Sequence, residues 1–424
     1  MSEAGIGSVR LPGIRNARVG EKIAREAVHR ALGKLAVGSL TVHEGARSAH
    51  FGLPAENAQP HAEIHVHDPA VYAQMLSGGS IAAGEAYMRG HWSSPDLLQV
   101  TRLFCANMAV LDGFDDSQSV MVKMALKAAH FFNRNTHAGS RDNIAAHYDL
   151  GNDFFRLFLD PTMMYSSALF DAPQTTLEEA SVAKLDELCR QLELSPRDHL
   201  LEIGTGWGGM AIHAAREFGC RVTTTTISRE QYEFACQRVA EEGLEDRVTL
   251  LCEDYRNLDG SYDKLVSVEM IEAVGHEFYS EYFRTCSSLL KPDGKMVIQA
   301  ITMADQRYDA ARDGVDFIKR YIFPGGCLPS IAVIAKHLAQ DTDMQMVHLR
   351  DITEDYAITL AHWRERFLAR LDAVRALGFG EEFIRMWEYY LCYCEGGFRE
   401  RVISTVQLAF AKPGFRFAGV GAKA

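Results

Sequence analysis

The chain has 424 residues, 47% of them apolar and 24% charged, which is the balance of an ordinary globular protein large enough for two domains. Its 44 basic and 56 acidic residues give a formal net charge of −12, which argues against extensive nucleic-acid binding without excluding a local basic face. Because no apolar run approaches the ~20 residues of a membrane span and the nine cysteines show no CxxC pair or metal-ligand spacing, we expect a cytoplasmic protein with reduced thiols.

Residues 1–110 have the length and pattern of a small α+β domain that engages lipid or a partner. The segment Glu21 to Leu35 places apolar residues at helical spacing with lysines and arginines opposite, and it predicts an amphipathic basic helix. This helix either packs on its own domain, which we favour, or touches anionic lipid. Strands are predicted over 39–43 and 62–67, and helices over 68–75 and 97–108.

Three imidazoles alternate along the second of these strands, at His61, His65 and His67. Alternating residues of a strand share one face, so a metal site is conceivable. The segment supplies no cysteine or carboxylate that we can assign to the set. We therefore favour a solvated strand face and predict no metal.

Residues 111–140 predict a helical linker, and residues 141–424 predict a catalytic domain of the α/β class. Apolar strands alternate there with helices, which is typical of a doubly wound, Rossmann-like parallel sheet. The last strand is expected to run antiparallel. An insertion over 301–343 and a helical stretch over 355–398 are expected to build the substrate pocket above the strand ends. The predicted strands are 200–203, 221–226, 248–252, 264–268, 294–300, 344–349 and 402–411.

A glycine-rich turn follows the first strand of this domain, at Gly204, Gly206 and Gly208. Such a turn lets the backbone approach a ligand closely and leads into a helix N-terminus, which favours a carboxylate, hydroxyl or phosphate group. A dinucleotide site would place an acidic residue at the end of the second strand. Here that strand ends at Thr226 without one, and the acidic residue is Glu202, inside the first strand. This placement suits S-adenosylmethionine, whose methionine ammonium a carboxylate can hold.

The ordered motifs of the second domain make the chain resemble the cyclopropane fatty acid synthase family, which includes the mycolic acid cyclopropane synthases. The resemblance covers nearly the whole chain and implies a class I methyltransferase domain. The motifs are AAHYDLGNDFF (145–155), MMYSSALF (163–170), LEIGTGWGG (201–209), ISREQ (227–231), EDYRNL (253–258), MIEAVGHEFY (270–279), RYIFPGGCLPS (320–330), DYAITLAHW (355–363) and YYLCYCEGGFR (389–399).

The resemblance implies methyl transfer from S-adenosylmethionine to a cis double bond of an unsaturated phospholipid acyl chain, followed by closure of a cyclopropane ring. It places the enzyme at the inner face of the membrane as a peripheral protein, and a homodimer is compatible with that role. The cofactor contacts that it implies are Tyr165, Ser166, Glu202, Gly204, Thr205, Gly206, Thr226, Ile227, Gln231, Asp254 and Tyr255, with Arg256 beside them.

In this family a bound bicarbonate is thought to remove the proton that ring closure releases. The resemblance implies that Glu272, Tyr356 and the backbone N–H of residue 167 would hold it, together with the side chain at 299. Two positions depart from the family, because Ser167 replaces a cysteine and Gln299 replaces a histidine. An amide donates a hydrogen bond but cannot take up a proton. The departures leave ring closure open, and a methyl-branched or methylene product is the alternative.

Glu269 stands where the family usually has glycine, three residues before Glu272. If both carboxylates face the pocket, one could have a raised pKa and act as the base itself. The other interpretation, which we hold equal, is that Glu269 points to solvent. Cys394 matches a cysteine once thought nucleophilic in the family, and its apolar surroundings favour a structural role.

Aromatic rings are expected near the reacting carbons, because the cation that forms in the acyl chain must be kept dry and is stabilised by ring faces. The candidates are Tyr279, Tyr282, Tyr321, Phe323, Tyr356, Tyr389 and Tyr390. Two rival functions remain open, a methyltransferase of a soluble small molecule and a non-catalytic sensor of S-adenosylmethionine.

Overall fold

The computed structural model describes residues 13–54, 59–117, 124, 135 and 150–417. The chain divides into two compact units, Met1–Lys123 and Met124–Ala424. Most of the predicted linker and the first five residues of the motif at 145–155 lie outside the described residues. Among the described helices, none is both long and apolar enough to cross a membrane.

The first unit is a four-stranded sheet packed against helices. Strand β1 lies between β2, with which it is antiparallel, and β3, with which it is parallel, and β4 pairs with the outer edge of β3. The strands are β1 (Ser39–Glu44), β2 (Arg47–Gly52), β3 (His61–Val66) and β4 (Trp92–Ser93), and the helices are Gly13–Leu32, Ala70–Met88, Leu97–Ala106 and Met108–Ser117.

The N-terminal helix of this unit, Gly13–Leu32, buries one apolar stripe. Ala24, Val28 and Leu32 on this stripe are buried, and Arg25 donates to Glu44 of β1 at 3.2 Å. These contacts support the interpretation that the helix packs on its own domain. The following helix extends to Met88, well beyond the predicted end at 75, because Gly79 takes φ 62° and accommodates a kink instead of a stop.

The polar face of this sheet carries the histidines. His43 and His65 lie opposite each other in the parallel pair, with ring centroids 4.8 Å apart, and Nε2 of His43 lies 3.9 Å from a carboxylate oxygen of Glu63. The expectation that no carboxylate completes the imidazole set was wrong, since the ligand atoms of His43, Glu63 and His65 lie within 4.8 Å of one another. Strand pairing, which the spacing within one segment does not reveal, brings in His43. His67 is separate and contacts Ser93 Oγ at 2.7 Å.

The second unit is built on a seven-stranded sheet with helices on both faces. Its order is β10-β11-β9-β8-β5-β6-β7. The strands are β5 (His199–Ile203), β6 (Arg221–Thr225), β7 (Val248–Leu251), β8 (Tyr262–Val268), β9 (Leu290–Met303), β10 (Gln345–Asp351) and β11 (Ile403–Ala411). The helices are Asn152–Phe155, Leu177–Leu192, Gly209–Glu217, Arg229–Glu241, Tyr279–Leu289, Tyr308–Asp313, Phe317–Tyr321, Ile331–Asp341, Thr353–Leu368, Leu371–Ala376 and Glu381–Arg399.

The predicted doubly wound sheet is confirmed. Strands β5 to β9 run parallel, and β11 is antiparallel to both of its neighbours, as expected for the last strand. The central strands are apolar and buried on both faces, which requires helices on both sides. The chain runs outward from β5 to β7 and then returns to β8 on the other side of β5. The crevice at the C-terminal ends of β5 and β8 is therefore the topological switch point, where open α/β sheets bind ligands.

Candidate active site

The glycine turn lies at this switch point. Gly204 takes φ 99°, Gly206 51° and Gly208 88°, all in the region that favours glycine. The N–H groups of Gly204 and Thr205 both donate to the carbonyl of Thr225 at 3.0 Å, which ties the turn to β6. A Cβ at Gly204 would lie 3.3 Å from the Met270 side chain, in the loop after β8. The turn therefore brings bare backbone against that loop, just before the helix Gly209–Glu217 begins.

Glu202 lies beneath the turn and is 2% exposed. One of its carboxylate oxygens accepts from Thr224 Oγ1 at 2.6 Å, and Thr224 Oγ1 lies 2.7 Å from Thr205 Oγ1. Burial raises the pKa of Glu202 to about 8, against the smaller opposing effects of the Thr224 hydrogen bond and of Lys184. A cationic group beside Glu202 would therefore gain a strong electrostatic partner.

Five more of the predicted cofactor contacts follow the ends of β6 and β7. Thr226 Oγ1 donates to Gln231 Oε1 at 2.9 Å and accepts from the N–H of Ser228, which caps the helix Arg229–Glu241. Ile227 lies between these groups. Thr225 Oγ1 donates to the carbonyl of Glu253 after β7, so the two strand ends are joined.

Asp254 follows β7 and is 2% exposed. Its two carboxylate oxygens accept from Nε and Nη2 of Arg256 at 2.9 and 2.6 Å, and its side chain also caps the short helix that contains Tyr255. The motif at 253–258 thus forms a rigid corner beside the predicted cofactor contacts that follow β6. Arg256 therefore neutralises the charge of Asp254 inside the protein.

Ser166 is positioned by a lysine that the sequence analysis missed. Lys184 is fully buried, and its Nζ donates to Ser166 Oγ at 2.7 Å. Burial lowers the pKa of Lys184 to about 8, whereas the carboxylates Glu269, Asp160 and Glu202 act in the opposite direction. A signal was available, since Lys184 falls on the buried stripe of the helix Leu177–Leu192.

Tyr165 begins an aromatic wall beside this serine. Its hydroxyl lies 2.7 Å from that of Tyr390, and its ring packs 5.2 Å from Trp363 and 6.5 Å from Phe323. Tyr356 stacks on Phe398 with centroids 4.4 Å apart. Of the aromatic candidates, Tyr356, Tyr390 and Phe323 belong to this wall. Tyr279 and Tyr282 lie instead in the core beneath the sheet, while Tyr321 and Tyr389 pack with Phe317.

Glu269 is the centre of the polar part of the site. One of its carboxylate oxygens accepts from the Ser167 N–H at 2.9 Å and from Gln299 Nε2 at 2.8 Å, and the other accepts from the Tyr356 hydroxyl at 2.7 Å. Part of the side chain stays accessible, but its carboxylate is turned inward. The interpretation that Glu269 points to solvent was therefore wrong. Burial raises the pKa of this carboxyl, and the three donors and Lys184 oppose that rise.

Glu272 lies close to Glu269 but has different partners. One carboxylate oxygen accepts from the Ile301 N–H at 2.5 Å, and the other is buried without a hydrogen-bond partner among the residues that the structure describes. Burial and then the charge of Glu269 raise the pKa of Glu272 to about 8. Glu272 therefore does not share Tyr356, Ser167 and Gln299, which the structure brings together around Glu269. Cys394 lies close enough to Tyr356 and Tyr390 to affect their pKa values.

The orientation of Gln299 is fixed by two further amides. Gln191 donates to Gln407 at 2.7 Å, Gln407 donates to Gln299 at 3.0 Å, and Gln299 then donates to Glu269. Gln299 and Gln407 are fully buried. The relay presents an N–H to Glu269, which stabilises the ionised carboxylate without providing a titratable group.

A doubly wound sheet whose first strand ends in a glycine turn over a buried carboxylate defines a class I S-adenosylmethionine-dependent methyltransferase. The family model of the mycolic acid cyclopropane synthetases matches residues 135–408. The chain belongs to this family, as the sequence resemblance predicts.

Individual relatives match over most of their length. The chain is 40% identical over 383 residues to the tuberculostearic acid methyltransferase UfaA1 of Mycobacterium tuberculosis, covering 86% of each chain. It is 37% identical over 362 residues to the cyclopropane-fatty-acyl-phospholipid synthase of Escherichia coli, covering 84% of this chain and 90% of that one. The solved structure of the mycolic acid cyclopropane synthase CmaA1 with SAH and CTAB matches with a TM-score of 0.60 at 33% identity, over 64% of this chain and 98% of that one.

Proposed function

We propose that the enzyme transfers a methyl group from S-adenosylmethionine to a cis double bond of an unsaturated phospholipid acyl chain. The observation that carries the proposal is the convergence of Ser167, Gln299 and Tyr356 on a carboxylate beside the glycine turn. A polar proton-accepting group next to an aromatic wall suits chemistry that passes through a carbon cation. The acyl substrates named for the relatives support the same class of substrate.

The residues present fit the cofactor. A Cβ at Gly204 would crowd the Met270 side chain at 3.3 Å, so glycine keeps the backbone open there, and the buried Glu202 offers an anion for the methionine ammonium. When bound, S-adenosylmethionine supplies an electrophilic methyl group, which the π electrons of the alkene take up to leave a cationic carbon in the acyl chain. Tyr165 and Ser166, which Tyr390 and Lys184 hold in place, are proposed to position the reacting groups.

The aromatic wall then protects the cation. Trp363 and Phe323 pack against Tyr165 and help to exclude water, and a ring face of this wall that meets the cation would stabilise it by about 1–2 kcal/mol in a dry site. Cys394 is proposed to be part of this packing and not a nucleophile.

The product we favour is a cyclopropane, formed when a proton leaves the new methyl group and its C–H electron pair closes onto the cationic carbon. A methylene or methyl-branched product is the second candidate, and the 40% identity to a tuberculostearic acid methyltransferase supports methylation of an acyl chain without distinguishing these two products. A saturated methyl branch would also need a hydride donor, which a methyltransferase alone does not supply.

Product analysis separates these outcomes. The full chain is incubated with S-adenosylmethionine and vesicles of monounsaturated, anionic phospholipid, and the acyl chains are analysed by mass spectrometry before and after ozonolysis. A gain of one CH₂ with loss of the alkene identifies a cyclopropane, and the same gain with an alkene retained identifies a methylene group. Absence of any methylated acyl chain, with cofactor bound, would refute the proposal. Because the substrate lies in a bilayer, we also expect the enzyme to sediment with these vesicles.

Cofactor binding should release a proton at neutral pH. Glu202 has a pKa of about 8 in the free protein, so it is largely protonated at pH 7. A ligand ammonium favours its ionised form, so binding lowers that pKa and expels the proton. Affinity for S-adenosylhomocysteine should rise from pH 6.5 toward pH 8 and then level off. Calorimetry at pH 7 in phosphate and in Tris measures the released proton, because the two buffers differ in ionisation enthalpy, and equal observed binding enthalpies in the two buffers would contradict this assignment.

A matched variant tests the origin of this proton. Glu202→Gln removes the titrating group while keeping the shape and a hydrogen bond to Thr224. We expect weaker binding that no longer depends on pH over this range.

A further inference from the structure

We propose that Glu269 is the general base of the reaction and that the enzyme therefore works without bicarbonate. This inference rests on the proposed function and names the group that accepts the proton. The bicarbonate that the family resemblance implies does not fit the residues present, because its place and three of its hydrogen-bond donors are taken by a carboxylate of the chain itself.

Three hydrogen-bond donors surround the carboxylate of Glu269. The Ser167 N–H, Gln299 Nε2 and the Tyr356 hydroxyl lie on three separate elements of the fold, and all three donate to Glu269 within 2.7–2.9 Å. A free anion at this place would find these donors engaged and would face a like charge. The pocket that could hold a small carboxylate is thus already filled by one.

The backbone of Glu269 is strained. Glu269 takes φ 49°, in the left-handed region that disfavours residues with a Cβ. Glycine would adopt this conformation without strain. A side chain kept at such a position, with its carboxylate aimed into a ligand site, indicates that the carboxylate is used there.

The neighbouring acids Glu269 and Glu272 differ in how well their surroundings stabilise a negative charge. Glu269 has three donors and faces the Lys184 ammonium, all of which favour its ionised form. Among the described residues, Glu272 accepts only from backbone N–H groups and keeps one oxygen without a hydrogen-bond partner, and Glu269 adds a like charge beside it. The pair is therefore expected to hold one proton, which resides on Glu272, and to leave Glu269 as the carboxylate that can act as a base.

The step balances without any additional reactant. After methyl transfer, a Glu269 oxygen takes a proton from the new methyl group. The C–H electron pair that remains forms the third carbon–carbon bond of the ring, or a methylene double bond once a hydride has shifted to the neighbouring carbon. Glu269 becomes a neutral carboxylic acid, and it returns the proton to water when the product leaves.

The experiment compares three variants of the full chain in the vesicle assay. Glu269→Gln keeps the shape but cannot accept a proton, and turnover should fall about 10²- to 10⁴-fold. Glu272→Gln resembles the neutral acid and should lose much less. Glu269→Gly opens the site, relieves the strained φ and should be at least as stable to heat as the parent. Its turnover should be restored in part by added bicarbonate or formate, and Glu269→Gln, whose amide fills the site, should not respond.

The parent enzyme is assayed in parallel in buffer freed of carbon dioxide, where we expect an unchanged rate. A rate that collapses there and returns with bicarbonate would overturn the inference, as would full activity in Glu269→Gln. A Glu272→Gln loss equal to or larger than that of Glu269→Gln would move the base to Glu272. If the parent methylates no acyl chain at all, the proposed function fails, whereas methylation that ignores Glu269 removes only this inference.

Discussion

Lys184→Met should shift the pH profile of turnover to higher pH and leave a deficit in folding stability that grows with pH. The side chain is fully buried, and its ammonium lies among Glu202, Glu269 and Asp160 while it holds Ser166 Oγ. Methionine matches its length and removes the charge. The buried carboxylates then lose a cationic neighbour, so their pKa values rise further.

The loss of folding stability in Lys184→Met should depend on pH. An acid whose pKa is higher in the folded protein loses stability as the pH rises toward that folded value. In Lys184→Met, Glu202 and Glu269 have still higher pKa values, so the stability deficit should grow between pH 6 and pH 8. Above pH 8 it should grow further, because the parent gains stability as Lys184, whose folded pKa of about 8 lies below its usual value, loses its proton there, and the variant has no such group. Turnover needs ionised Glu269, so its acid limb should move to higher pH.

Thermal melts at pH 6 and pH 7.5 and a pH–rate profile measure both effects. Lys291→Met is the matched control, because Lys291 pairs with Asp263 at 2.6 Å with its side chain 40% exposed. Such a surface pair contributes at most about 1 kcal/mol and lies outside the site. A deficit in Lys184→Met that is independent of pH would show that the lysine only fills space.

The helices and strands and their order could be predicted because hydrophobic periodicity and turn-forming glycines are local properties of the sequence. All seven strands of the second unit were placed within a few residues. The helix Leu177–Leu192 likewise has a local start signal, because Thr176 and Glu179 form a complete capping box. The sequence also indicated that Glu269 is unusual, because it adds a carboxylate beside Glu272.

The direction in which these side chains point could not be predicted in the same way. Tyr356 lies 87 residues after Glu269, and only the packing of its helix decides that it donates to Glu269 and not to Glu272. The amide relay to Gln299 likewise joins three distant segments of the chain. The burial of Lys184 was not predicted for a different reason. A lysine in a helix is normally exposed to solvent, and the burial of this one depends on carboxylates that other segments of the chain contribute.

Arg256→Ala should be the most damaging change near the cofactor site that leaves the catalytic carboxylates untouched. Arg256 and Asp254 form a two-bond ion pair whose side chains are only 5% and 3% exposed. Removing the guanidinium leaves Asp254 buried and charged without its partner, which costs about 3–5 kcal/mol. The corner after β7 should then loosen, and affinity for S-adenosylhomocysteine should fall at least tenfold.

Two further variants test whether the effect of Arg256→Ala comes from loss of the buried ion pair. Arg256→Lys keeps the charge but not the planar pair of donors, so it should recover only part of the stability and affinity. Arg229→Ala is the matched control, because Arg229 also pairs with an acid, Glu233, at 2.6 Å but with both side chains exposed, and no measurable change is expected. Thermal melts and calorimetry are run on all three. If Arg256→Ala melted like Arg229→Ala and bound the cofactor as tightly, the pair would be a dispensable contact.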